Sequence, residues 1–167
     1  RVRLDPHLAP GSSTESRSVA GYYFRYVLEE LGITDPETVQ AVTEWRKEYN
    51  LPVGLWHVPD PEAETALRLA RDAGCVAGVI SNSNGSVRSI LEETGLAVHL
   101  QFILDSAVVG VEKPDPRIFQ LGLIEARVAP GEAVFIGDLY SVDVLGARAA
   151  GMEAVTRCLE SSRSRIA

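Results

Sequence analysis

The chain has 167 residues, is 46% hydrophobic and carries a formal charge of −7. That length fits one domain, or a core with a small insertion, and the composition supports a substantial core. The acidic balance argues against sequence-independent nucleic-acid binding, and no apolar stretch approaches the roughly 20 residues of a membrane span, so neither nucleic acid nor membrane is an expected partner.

Residues 1 to about 8 read as the tail of a helix that belongs to an upstream segment, and no signal or transit peptide is visible at the start as given. Gly11 to Ser18 is a Ser-rich polar loop. Val19 to about Leu31 has a helical pattern with Tyr23, Phe24, Val27, Leu28 and Leu31 on its apolar face, ended by Gly32. Asp35-Pro36-Glu37 opens a second helix running to about Tyr49. Leu51 to Pro59 is a loop, and Asp60-Pro61-Glu62 starts a third helix that Gly74 ends.

From there strands at about 76–81, 101–105, 133–136 and 153–156 alternate with helices at about 86–94, 116–127 and 141–150. Alternation at this spacing implies βαβ units and a parallel sheet. The predicted class is therefore α/β, with a helical module over residues 1–57, an α/β core over 58–156 and a loosely ordered polar tail over 157–167.

Cys75 precedes a strand and is expected to be a buried small apolar residue, while Cys158 lies in the tail. Neither these two nor His7, His57 and His99 have zinc-ligand spacing, and two cysteines make no disulfide framework, so a reducing cytoplasm is the default location.

Three strand ends carry polar chemistry. Ala133 to Ile136 is a short apolar run that stops at Gly137-Asp138, with Asp143 following after four residues. Ligand crevices in open parallel sheets lie at the carboxyl ends of strands, so Asp138 is placed at the rim of a site and Asp143 faces it from the next helix. Two such carboxylates are tolerable beside a hard cation such as Mg²⁺, although Asp138 could also serve as a helix cap. A second run, Val76 to Ile80, ends in Ser81-Asn82, with Gly85 and a helix following; free backbone N–H groups there would suit an anion. In Val109 to Phe119, Pro114 stiffens the chain after Lys113, and Asp115-Pro116 reads as N-cap and first helical residue.

In this order and chemistry the three segments resemble the haloacid dehalogenase-like hydrolases, over nearly all of Val19 to about Thr156. Ser81 resembles the hydroxyl that holds a transferring phosphoryl group, and Lys113 the lysine that neutralises nucleophile and phosphate. Gly137, Asp138 and Asp143 match the family pattern G-D-x-x-x-x-D that positions Mg²⁺. The resemblance implies a Rossmann-like parallel-sheet core under a small helical cap. Tyr22, Tyr23, Phe24, Tyr26, Trp45 and Tyr49 could line the cap's interface or pack its helices together, and Arg17 and Arg25 could reach an anionic substrate or be surface charges.

The resemblance further implies a Mg²⁺-dependent phosphatase that hydrolyses a small phosphorylated metabolite through an aspartyl-phosphate. Lys113 and Ser81 would be catalytic; Ser81, Asn82 and Lys113 would hold substrate; Asp138 and Asp143 would hold the metal, the latter directly or through water. The family's opening D-x-D-G-T strand, whose first Asp is the nucleophile, has no match, since Asp5 has no apolar run before it. That strand is central in the family's sheet, so its edges would need an upstream segment or a second copy of the chain to pair with. These residues alone are then expected to be inactive. Two alternatives stay open: a metal-free 2-haloacid dehalogenase, against which Gly137-Asp138 argues, and a non-catalytic binding protein.

Overall fold

The computed structural model of the chain describes residues 17–49 and 57–156. The expectations for residues 1–16, 50–56 and 157–167, for Cys158, and for the side chains of Arg17 and Tyr23 lie outside the described parts.

Two helices come first, α1 (Arg17–Glu30) and α2 (Pro36–Tyr49). Gly32 stops α1 at φ +78°, a conformation that costs glycine little. Asp35 caps α2 by accepting the Thr38 N–H at 2.8 Å and the Thr38 hydroxyl at 2.7 Å. Of the apolar face expected on α1, Leu28 is buried, but Val27 and Leu31 are exposed. The Arg46 guanidinium of α2 lies 4.5 Å from the centre of the Phe24 ring, joining the two helices by a cation–π contact. Trp45 and Tyr49 do not pack between the helices. They are exposed and stack on one another at 4.7 Å, as residues four apart on one helix face can.

The remainder alternates helices and strands. In chain order it runs α3 (Ala63–Asp72), β1 (Gly78–Ser81), α4 (Val87–Glu93), β2 (Phe102–Asp105), α5 (Ser106–Val109), α6 (Pro116–Ala126), β3 (Val134–Gly137), α7 (Leu145–Ala149) and β4 (Glu153–Thr156). Cys75 is exposed, contrary to the expectation of burial. The reason is local: Gly74 N–H bonds Arg71 O and Cys75 N–H bonds Ala70 O, a Schellman closure that makes Cys75 part of the end of α3. The strand starts only at Gly78.

β1 pairs in parallel with β2, Ser81 opposite Asp105, and β3 pairs in parallel with β4, Gly137 opposite Thr156. The two pairs are separate two-stranded sheets. Both pack on α6, whose Ile118 and Phe119 are wholly buried and cluster with Ala147 and Ala150. Ile80 of β1, Phe135 of β3 and Ala154 of β4 pack against that cluster. Phe119 meets Phe135 edge to face, centroids 5.0 Å apart. Gly146 of α7 permits this close packing, because a Cβ there would lie 2.6 Å from the Phe119 ring. The α/β, Rossmann-like class expected from the sequence holds. Unlike a fully covered parallel sheet, however, the β3–β4 pair exposes Val134, Ile136 and Val155, which register places on one face.

Asp115 begins α6 by accepting the Arg117 N–H at 2.9 Å, with Pro116 as first helical residue, as the sequence indicates. Hydrogen bonds from the Arg117 side chain, then its backbone, hold the Asp115 carboxyl below the usual carboxylate range. A carboxyl depressed in the folded state stabilises above its unfolded value, and that contribution is lost as pH falls through the folded one. Acidification below about pH 4 is therefore expected to fray the first turn of α6, measurable as faster amide exchange at Arg117 and Ile118. Phe119→Ala should destabilise the fold by about 3–5 kcal/mol in urea denaturation, since that ring is wholly buried in the cluster on which both sheets pack.

Candidate active site at the strand ends

The polar residues singled out in the sequence sit at the carboxyl end of a strand, on the turn before α6 or, for Asp143, in the turn between β3 and α7. Ser81 is the last residue of β1 and Asn82 follows it. Lys113 precedes Pro114 through a cis peptide bond, two residues before Asp115 caps α6. Asp138 follows β3, and Asp143 lies in a π-turn, Tyr140–Val144, where an α-helix was expected.

Hydrogen bonds gather these positions. The Asn82 carboxamide clamps the backbone of Lys113: its Nδ2 donates to Lys113 O at 2.9 Å, and its Oδ1 accepts the Lys113 N–H at 2.8 Å. The Lys113 ammonium then donates to Asp143 Oδ1 at 2.6 Å. The other oxygen of Asp143 accepts the N–H of Asp138 at 3.1 Å and of Leu139 at 3.0 Å. A continuous polar seam thus runs from the end of β1 to the end of β3. It is largely dry, with the Lys113 and Asp143 side chains 13% and 2% exposed.

Three features support the seam. Gly137 has no side chain, and a Cβ there would overlap the Asp143 carboxyl, so glycine is what lets that acid lie against the end of β3. The π-turn keeps Asp143 directed at the 138–139 amides, a local unwinding of the kind often found at functional sites. Phe135 lies beneath Lys113, its ring centre 5.3 Å from the ammonium.

Ser81 and Asp138 flank the seam. Among the described residues neither side chain has a hydrogen-bond or ionic partner, and Asp138 is exposed. Asn82 differs: both its Nδ2 and its Oδ1 are bonded to the Lys113 backbone. The backbone N–H groups expected to be free for an anion after Ser81 are largely consumed. Gly85 and Val87 donate to Asp105, Ser83 to Ser106 and Ser86 to Asn84. From Ser83 to Val87 that loop is therefore no open anion cradle, because Ser106, Asp105 and Asn84 take these four N–H groups. Asp105 and Ser106 were missed in the sequence. The available signal was that Phe102 to Leu104 is a third apolar run ending in polar residues.

The donor chemistry can be tested against Mg²⁺. That ion commonly takes one or two carboxylates and completes its shell with water and substrate phosphate. Asp138, unpaired and at a strand end, fits one such position. Both oxygens of Asp143 are already committed. No group of three potential ligands occurs among the described residues.

Breaking the seam should be costly, because removing one partner of a buried pair strands the other charge. Asp143→Ala is expected to lose about 3–5 kcal/mol of stability in urea denaturation, far more than the 0–1 kcal/mol typical of surface pairs. The exposed Arg88–Glu92 pair, 3.9 Å apart, provides the comparison.

A family model described as haloacid dehalogenase-like hydrolase matches residues 8–151. Haloacid dehalogenase-like hydrolase domain-containing protein 3 of Bos taurus is 40% identical over 124 residues, 74% of this chain and 49% of that protein. A protein of Thermus thermophilus named phosphoserine phosphatase is 39% identical over 135 residues, 79% of this chain and 51% of that protein. The chain therefore spans about half the length of these curated relatives. A crystal structure of a phosphatase of the same family from Thermococcus onnurineus superposes with a TM-score of 0.62 at 24% identity, covering 87% of this chain and 79% of that one, which bears on fold alone. Seam, fold and family match agree: the chain belongs to the haloacid dehalogenase-like hydrolases.

Proposed function

We propose that the complete protein is a Mg²⁺-dependent phosphatase acting on a small phosphate monoester through an aspartyl-phosphate. The observation that carries this reading is the seam of Asn82, Lys113 and Asp143 with two unpaired side chains, Ser81 and Asp138, beside it. A relative named phosphoserine phosphatase supports the substrate class.

Each residue has a role on this reading. The Ser81 hydroxyl donates to a phosphoryl oxygen. Asn82 holds Lys113 from behind, and Lys113 directs positive charge at the same group. Asp138 holds the metal ion, which when bound would offset repulsion between carboxylate and phosphate. Asp143 contributes through Lys113 and the Asp138 amide. The bond-forming acid belongs on a further strand, and the unjoined β1–β2 and β3–β4 pairs leave edges for such a strand to complete. A segment outside the described residues, or a second copy of the chain, would supply it. The helices α1 and α2 act as a cap that excludes water and helps choose the substrate.

The dehalogenase alternative needs no metal and has no use for an unpaired Asp138. The test is turnover of p-nitrophenyl phosphate by the complete protein with Mg²⁺, with EDTA, and for Asp138→Asn. Activity should vanish with EDTA and fall by about 10²-fold or more in the variant, the scale of losing one electrostatic stabiliser. Undiminished turnover in either case, or metal-independent chloride release from 2-chloropropionate, would overturn the proposal.

A further inference from the structure

Asp105 has a place in this site that goes beyond capping a short helix. It ends β2 directly opposite Ser81 and is 4% exposed. Its carboxylate accepts three backbone N–H groups: Ala107 at 2.9 Å on Oδ1, and Gly85 at 3.0 Å and Val87 at 3.3 Å on Oδ2. No ion pair to it occurs among the described residues. A carboxylate taken out of water costs several kcal/mol unless its lone pairs are met. A cap for α5 needs only the Ala107 bond. The other two bonds reach 18 and 20 residues back, into the segment that follows Ser81.

Neighbouring bonds extend the same hold. Ser106, 1% exposed, accepts the Ser83 N–H at 3.1 Å and donates to Ser83 O at 3.3 Å. The Asn84 side chain accepts from the Ser86 N–H and hydroxyl. Segment 82–87 is thus fastened to the end of β2 at Ser83, Gly85 and Val87. Its first residue, Asn82, is the clamp on the Lys113 backbone.

We infer that Asp105 is a positioning residue for the active site: it fixes the segment after Ser81 so that Asn82 sets where Lys113 stands. It touches no reacting group and acts through Asn82 and Lys113. It also fills the N-terminal end of α4 with its own negative charge, so an incoming phosphoryl group is met by the Ser81 hydroxyl and the Lys113 ammonium and not by the amides of that turn. The catalytic arm of this inference rests on the proposed phosphatase reading; the structural arm does not.

The test is Asp105→Asn in the complete protein. The shape is kept, but a carboxamide has one accepting oxygen and an NH₂ that cannot accept, so part of the three-amide set loses its partner. Amide hydrogen exchange is measured residue by residue, together with kcat and KM on p-nitrophenyl phosphate. Exchange should accelerate by about tenfold or more at Gly85 and Val87 and, by transmission through Asn82, at Lys113. For the folded variant, kcat should fall by about tenfold or more with KM changed less than about threefold, the pattern of a misplaced transition-state contact. Faster exchange at Gly85 and Val87 with Lys113 unchanged would reduce Asp105 to a local cap and overturn the inference, as would an unaltered kcat in an active enzyme. Where Asp105→Asn does not fold, Ser106→Ala releases the same segment at Ser83, and its effect on Lys113 exchange decides with the same two outcomes. An unmodified protein without phosphatase activity would end the proposed function, while exchange at Lys113 would still judge Asp105.

Discussion

The site is built around the contact between Lys113 and Asp143. Both side chains are withdrawn from water, and the buried carboxylate is tolerated because both of its oxygens are met. Asp143 turns its second oxygen to two backbone amides, and the Lys113 ammonium lies over the Phe135 ring. A buried pair left with unmet lone pairs would cost more in desolvation than its attraction returns. The contact has a second consequence, since β1 and β3 share no ladder. Side-chain bonds from Asn82 through Lys113 to Asp143 are the polar connection between their carboxyl ends, and α6 is the apolar one beneath.

Those two connections are coupled by the short stretch from Lys113 to Phe119. Lys113 faces the seam, Asp115 starts α6 at its N-cap, and Ile118 and Phe119 fill the space between the sheets. A displacement of α6 would move Lys113, and a displacement of Lys113 would strain the cap. Packing and chemistry thus share one rigid turn, which is how a site on strand ends can be held to the sub-ångström tolerance that electrostatic stabilisation needs. Gly137 of β3 and Gly146 of α7 serve the same end, each admitting a neighbour where a Cβ would overlap it.

Much of this was legible in the chain. Strand ends could be read because short apolar runs stop abruptly at Ser81 and at Gly137-Asp138, and the α6 start because Asp115-Pro116 has only one good local solution. What could not be read depends on contacts distant in sequence. Asp105 closes an ordinary-looking strand, and its partners at Gly85 and Val87 become visible only once β1 and β2 are in register. The exposure of Cys75 follows from a helix closure that extends one residue past Gly74, which periodicity does not resolve. Trp45 and Tyr49 have the spacing of a helix-packing face, yet stack on each other, because tertiary context and not periodicity decides what a helix face meets.

The charge arrangement bears on the proposed chemistry. The seam holds one cation, Lys113, and its charge is already opposed by Asp143 at 2.6 Å. Asp138 adds an unpaired negative charge beside them. A phosphate monoester is largely dianionic near neutral pH, and an attacking carboxylate would add a further negative charge. Lys113 cannot offset all of these while bonded to Asp143, and it cannot leave Asp143 without stranding a buried carboxylate. In a site of low effective dielectric, like charges a few ångströms apart oppose each other by several kcal/mol. The proposed reaction therefore needs positive charge beyond what these side chains supply, and Asp138 is the group positioned to recruit it. The two acids of the G-D-x-x-x-x-D pattern thus differ in what each faces: Asp143 is satisfied by the protein, whereas the Asp138 side chain has no partner among the described residues.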